Sequence, residues 1–332
     1  MYIAYHPIYN HPVPENHRFP MLKYELLPRQ LLLEGIATEA DFFAPEKAAV
    51  KMAYLVHSKE YVDKFVSLGL SAKEARPIGF VQCQQLVDRE LTLVQGTVQG
   101  AVYSAQCIVN SEKRTEGRDQ GAGGSAQPSR LNPADGVRPQ IAFNIAGGTH
   151  HAFSDHGEGF CMLNDQAIAA RYLLSEGLAQ RVLIVDLDVH QGNGTAEIFK
   201  EDARVFTFSM HGRTNYPFHK EQSDLDIALE DGIGDREYLR LLEQHLPAVL
   251  AQHQPEFVFY QAGVDVLATD KLGKMALTVE GCAERDRIVF EACADRGLPM
   301  QCSMGGGYSP QLRDIIRAHA NTFAMALQCG ML

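Results

Sequence analysis

Beyond residue 140 the chain switches repeatedly between two hydrophobic patterns. Short apolar runs, Ile141-Ala-Phe-Asn-Ile145, Val182-Leu-Ile-Val185, Arg204-Val-Phe-Thr-Phe-Ser209, Phe257-Val-Phe-Tyr-Gln261 and Met300-Gln-Cys-Ser-Met304, are separated by longer segments. The runs predict strands buried on both faces, and the segments, with apolar positions every three or four residues, predict amphipathic helices. One helix spans 164–177, opened by the N-capping pair Asn164-Asp165 and closed by Gly177; others span 235–252, 279–296 and about 311–324. Nearer the N-terminus, residues 1–5 read as a short first strand and 6–20 as a loop rich in Pro, His and Asn. Helices are expected over 21–33, 59–68 and 82–109, the last with Leu86, Val87, Leu91, Val94, Val98 and Val102 at helical spacing. Strands alternating with helices predict an α/β fold with a parallel sheet covered on both faces.

Residues 110–139 interrupt this alternation with Gly121-Ala-Gly-Gly-Ser-Ala-Gln-Pro128, a linker composition. The alternation resumes directly afterwards, so the stretch reads as a flexible surface insertion in a single domain spanning 1–332, not as a boundary. The 45% hydrophobic content supports a sizeable core. A formal net charge of −11, with no basic block, excludes a surface built for direct nucleic-acid binding. Seven cysteines, scattered and without CxxC, suit free thiols in a reducing compartment. No leader and no spanning run of ~18 apolar residues is present, so a cytoplasmic protein without membrane contact is expected. Oligomeric state has no signature in the chain.

Chemistry concentrates where the apolar runs end. Asp186, Asp188 and His190 follow one run at alternate positions. On a continuing strand they would share a face, roughly 6–7 Å apart. Two carboxylates and an imidazole there are costly unless a cation compensates them. Three other runs end in Gly147-Gly-Thr-His150-His151, in Ala-Gly263-Val-Asp265 and in Gly305-Gly-Gly-Tyr308. Each has a plainer reading: a Gly turn with surface histidines, a helix cap, a tight or phosphate-cradling loop. In a parallel sheet, however, carboxyl ends share one edge, so the four motifs should meet in one cleft. Asp188, His190 and Asp265 then give an open N/O ligand set of the catalytic zinc type, which Fe(II) also fits by ligand chemistry. His150 and His151 offer an acid and a base, and Tyr308 a hydroxyl donor.

With Gly159-Phe-Cys-Met-Leu-Asn-Asp165 added, these motifs resemble in order and spacing the zinc-dependent histone deacetylase family of the arginase/deacetylase superfamily, from about residue 2 to 325. The opening His17-Arg-Phe-Pro-Met-Leu-Lys-Tyr24 and the variant His190-Gln-Gly-Asn193-Gly look most like the class IV branch and its bacterial relatives. The resemblance implies one α/β domain around an eight-stranded parallel sheet. It implies one catalytic zinc on Asp188, His190 and Asp265, and a structural potassium at Asp186, Asp188, His190, Ser209 and the Met210 carbonyl. His151 would be the general acid/base, His150 its electrostatic partner oriented by Asp186, and Tyr308 the donor to the substrate carbonyl. Gly159, Phe160 and Leu272 would build an acyl-lysine tunnel, with Tyr216 or Phe218 as the opposite wall, and Arg18 would line an internal product channel.

The expected reaction is hydrolysis of an N-acyl-lysine amide by metal-activated water. The alternative on the same fold is an amidohydrolase of small acylated amines such as acetylpolyamines; a silent binding module is disfavoured by the full catalytic set. Two departures matter. Asn193 stands where most relatives back the second histidine with an aspartate, and no rim aspartate is evident near Gly79-Phe-Val-Gln82.

Overall fold

The apolar runs become strands of one sheet in the computed structural model, which describes residues 1–119 and 141–331. The strands are Tyr2–Ala4 (β1), Phe42–Phe43 (β2), Ile141–Asn144 (β3), Val182–Asp186 (β4), Val205–Gly212 (β5), Leu225–Leu229 (β6), Phe257–Gln261 (β7) and Met300–Ser303 (β8). They lie in the order β2-β1-β3-β8-β7-β4-β5-β6, and every pairing is parallel. Every residue of β3, β4, β7 and β8 is buried, which requires cover on both faces and explains their unbroken apolar runs.

The helices are Lys23–Leu33 (α1), Lys59–Val66 (α2), Ala72–Ala75 (α3), Gln84–Asp119 (α4), Asp165–Ser175 (α5), Asn193–Phe199 (α6), Asp235–His253 (α7), Val279–Ala294 (α8) and Leu312–Gln328 (α9). They pack in two groups: α4 with α5 and α2, and α7, α8, α9 and α1 in succession. As expected, Asn164 caps α5, its Oδ1 accepting from the Ala167 amide at 3.1 Å. Gly177, at φ +66°, ends the turn beyond α5.

Five features differ from the pattern reading. β2 is only two residues long, and the edge strand β6 is mostly half-buried, so neither leaves a strong apolar run. Helix α6 hides behind the glycines of Gly192-Asn193-Gly194, which suggested only a turn. Helix α4 continues through residues 110–119, so the first part of the expected insertion is helical. The remainder, 120–139, lies outside the described residues. Lastly, β4 stops at Asp186, so Asp188 and His190 sit in the following loop and not on a continuing strand.

Candidate active site

The strand ends form a buried polar row. Adjacent strands β3, β8, β7 and β4 finish in register, pairing Asn144 with Ser303, Ser303 with Gln261 and Gln261 with Asp186, and Asp186 pairs with Ser209 within the longer β5. All five are buried. Side-chain bonds compensate this burial: Asn144 Nδ2 donates to the Leu93 carbonyl at 2.9 Å, and Gln261 Nε2 to the Gly148 carbonyl at 2.9 Å. The loops leaving this row carry the residues singled out above, and β4 and β7 are neighbours although β5 and β6 lie between them in sequence, a topological switch of the kind that opens a cleft.

Past Leu187, whose amide still donates to the Gln261 carbonyl at 3.2 Å, carboxylates become the partners of the backbone amides after β4. Asp186 Oδ1 accepts from the Asp188 amide at 3.1 Å, Asp265 Oδ1 from the Val189 amide at 3.0 Å, and Asp188 Oδ1 from the His190 amide at 3.0 Å. These bonds draw the three groups closer than strand spacing allows. Asp188, His190 and Asp265 each offer a ligand atom, all within 4.8 Å of one another and all buried. Burial, then the Asp188 charge, pushes the Asp265 carboxyl up to about 7. A cation between the carboxylates removes that penalty, so the donor set fits a divalent metal.

Glycine is required here by contact. A Cβ on Gly306 would lie 2.0 Å from Asp265 Oδ2 and 2.8 Å from Asp188 Oδ2, and one on Gly263 would lie 2.2 Å from Asp188 Oδ2. Gly306→Ala is therefore expected to displace both carboxylates and to lower bound metal per chain at least tenfold, with a loss of stability of about 1–3 kcal/mol. Metal analysis after dialysis checks this, and wild-type metal content would show that the loop gives way freely.

The two histidines after β3 differ in their environments. His150 Nδ1 lies 2.7 Å from Asp186 Oδ2. Burial opposes charge on this ring, but the Asp186 and Asp188 carboxylates outweigh it and raise its pKa to about 9. His151 Nδ1 instead lies 2.7 Å from Asn193 Oδ1. Burial, then the charges of His150 and His190, lower its pKa well below the ordinary histidine value. A cationic ring beside a neutral one divides the electrostatic and base roles physically.

Tyr308 stands across the site with its ring 6.3 Å from that of His190. Its amide donates to Asp270 Oδ2 at 2.6 Å, which fixes the loop. Burial, then the Asp265 and Asp188 charges, keeps its phenol well above 10, a permanent proton donor at neutral pH. Above these groups opens a cleft of about 490 Å³ lined by Gly159, Phe160, Tyr216, Phe218 and Leu272. Tyr216 lines the cleft edge-on to His151 at 5.1 Å, whereas Phe218 is 84% exposed.

Arg18 corrects the sequence reading. It is exposed and lines the outer mouth, not an inner channel. Its neighbours fix this: the His17 ring is held by the Gly79 carbonyl at 2.9 Å and stacks on Phe80, while Phe19 turns inward. The arginine that lines the small inner cavity, about 40 Å³, is the buried Arg89. Of the residues expected to hold a monovalent cation, Asp186 pairs with Ser209 across β4 and β5, and Ser209 Oγ also contacts His211 Nδ1 at 3.0 Å.

Several contributors left no readable signal. Arg285, buried on α8, donates to the Gly263 carbonyl at 2.6 Å and the Leu187 carbonyl at 3.2 Å, tying the two metal-ligand loops together. Lys23 is buried and donates to the Gly305 carbonyl at 2.8 Å. Both sit on helices, among ordinary charged positions. Asp165, read only as part of a cap, accepts from the Thr149 amide at 2.8 Å and so also shapes the His150 loop.

The chain matches the histone deacetylase domain over residues 17–323. It is 42% identical over 318 residues to an uncharacterized protein of Picosynechococcus sp., covering 96% of this chain and 95% of that one. Histone deacetylase 1 of Homo sapiens is 29% identical over 308 residues, covering 90% of this chain and 58% of the human one. Among solved structures, an HDAC homolog from Aquifex aeolicus superposes with a TM-score of 0.74 at 25% identity, covering 98% of this chain and 83% of that chain. The HDA15 HD domain superposes at 0.77 with 20% identity, covering 100% and 89%, a likeness of fold.

Proposed function

This chain belongs to the histone deacetylase family, and from that premise we propose that it is a zinc-dependent hydrolase of N-acyl-lysine amides. The observation that carries the reading is the Asp188, His190 and Asp265 cluster, within 4.8 Å, at the foot of a cleft that His151 and Tyr308 also face. A zinc ion held there would supply Lewis acidity to the amide carbonyl and to the attacking water. His151, neutral and presenting Nε2, takes a proton from that water and later returns it to the leaving amine nitrogen. The Tyr308 hydroxyl donates to the carbonyl oxygen as negative charge gathers on it. His150, held cationic by Asp186, stabilises the same charge without exchanging its proton. Asp186, Asp188, His190, Ser209 and Met210 would hold a potassium ion behind the site, bracing the loop that carries two of the zinc ligands. The His17–Tyr24 motif supports a place near the class IV branch, and the six described cysteines, all free, suit a reducing cytoplasm.

The mouth favours an acyl-lysine peptide over an acetylpolyamine. Arg18, Arg76 and Lys274 line it with no carboxylate among the lining residues, although the chain as a whole is strongly acidic. A polycationic amine meets repulsion there, whereas acidic residues flanking an acyl-lysine are attracted. The test is a panel of acetyl-, octanoyl- and myristoyl-lysine peptides and acetylpolyamines with zinc-loaded enzyme and its Asp265→Asn variant. Peptide hydrolysis at least tenfold faster in kcat/KM than polyamine hydrolysis is expected, with zinc and activity both lost in the variant. Preference for the free amines would favour the small-molecule reading, and unchanged zinc in Asp265→Asn would remove that residue from the ligand set.

A further inference from the structure

Asn193 lacks the charge that an aspartate would bring to His151, yet a carboxylate stands one side chain further out. Glu158 Oε1 accepts from Asn193 Nδ2 at 2.6 Å, and Asn193 Oδ1 faces His151 Nδ1 at 2.7 Å. We propose that Glu158 is a positioning residue for His151, orienting Asn193 and thereby fixing the tautomer of the ring; this rests on the reading of His151 as the base.

The argument is one of donors and acceptors. An ionised carboxylate only accepts, so the amino end of Asn193 must face Glu158 and its oxygen must face the ring. That oxygen also only accepts, so His151 Nδ1 must carry the hydrogen. Nε2 is then left with its lone pair, which a base requires. Asn193 is 2% exposed, so water does not compete for either bond. Glu158 is itself held by a tight turn. The Cys161 amide donates to the Glu158 carbonyl at 2.9 Å across Gly159 and Phe160, both at positive φ (+55° and +68°). The same turn therefore presents Phe160 to the cleft and Glu158 to Asn193. The Glu158 carboxylate also lies near the Tyr216 phenol on the cleft wall and, after burial, raises its pKa.

The pair explains why residue 193 is an amide. An aspartate there would put a second carboxylate against Glu158 at hydrogen-bond distance, and one of the two would have to take up a proton. The chain from ring to surface tolerates one negative charge, and here that charge sits at the far end. The other ionisable groups facing His151 are His150 from its own loop, Asp188 and His190 from the β4 loop, Tyr216 after β5, Tyr308 after β8, and Cys161.

The test combines spectroscopy with kinetics. In wild type, ¹⁵N shifts of the His151 ring should report a single tautomer protonated at Nδ1. In Glu158→Ala a mixture of tautomers is expected, with kcat lowered about 10–100-fold, as for other orienting partners, and with zinc content and KM nearly unchanged. Tyr216→Phe, which removes only the hydroxyl near Glu158 on the cleft wall, should leave the ring spectrum unaltered. Asn193→Asp should impair activity, and Asn193→Asp/Glu158→Gln should recover at least tenfold over it. In that double variant the carboxylate touches the ring and favours its charged form, so the acidic limb of kcat/KM should move to higher pH than in wild type. An unchanged tautomer in Glu158→Ala, or a double variant no better than Asn193→Asp, would overturn the proposal. The ring spectrum needs no substrate, so it decides this point even if no acyl-lysine peptide is hydrolysed.

Discussion

Replacing His151 by Ala is expected to lower kcat by roughly 10²–10⁴-fold, the contribution of a positioned general acid–base group. Zinc content should not change, because the ring lies outside the Asp188, His190 and Asp265 cluster. The sign of the wild-type pH dependence follows from the ring's surroundings. Burial, then the charges of His150 and His190, hold the His151 pKa well below 6.5, and a divalent cation nearby acts in the same direction. The base is thus already neutral at pH 6.5. kcat/KM should stay level as pH falls through 6.5 and decline only in more acidic solution, where the ring takes up its proton. Steady-state kinetics on metal-matched samples check both statements. A variant within tenfold of wild type, or an acidic limb above 6.5, would assign the base elsewhere.

Tyr308→Phe should cost about 10²–10³-fold in kcat, the loss of one oxyanion donor. The ring remains, so its contacts with Phe19 at 5.8 Å and Phe160 at 6.2 Å persist, and KM should change little. The loop is held through the Tyr308 amide and the Asp270 carboxylate, which the substitution leaves intact. Near-normal turnover with an unaltered thermal midpoint would mean that the hydroxyl points away from the reacting carbonyl.

The parts of this molecule legible in its sequence are those written in long hydrophobic runs or in unusual strand ends. β4 and β7 are buried on both faces, so their residues are apolar throughout and stand out. The four motifs after β3, β4, β7 and β8 were readable because histidine, aspartate and tyrosine after glycine are rare endings for such runs. β6 was not, because an edge strand with a half-buried face carries no continuous run. Arg18 was misplaced because a sequence match gives position along the chain, whereas the direction of the side chain depends on how His17 and Phe19 pack. Arg285 and Glu158 were invisible for a related reason: each acts through a partner far away in the chain, the Gly263 carbonyl and the Asn193 amide.

The cleft is assembled from two kinds of backbone with unequal freedom to change. Groups at the foot of the cleft hang from adjacent central strands, where even a methyl on Gly263 or Gly306 collides with a carboxylate. The lip is contributed by separate excursions carrying Arg76, Phe218 and Lys274, all exposed. Substitutions at such surface positions usually shift stability by no more than about 0.5 kcal/mol. Descendants of this chain can therefore exchange lip residues, and with them the flanking sequence they accept, through small neutral steps. Directed evolution for a new substrate should find its successful variants along that lip and almost none along the strand ends beneath it.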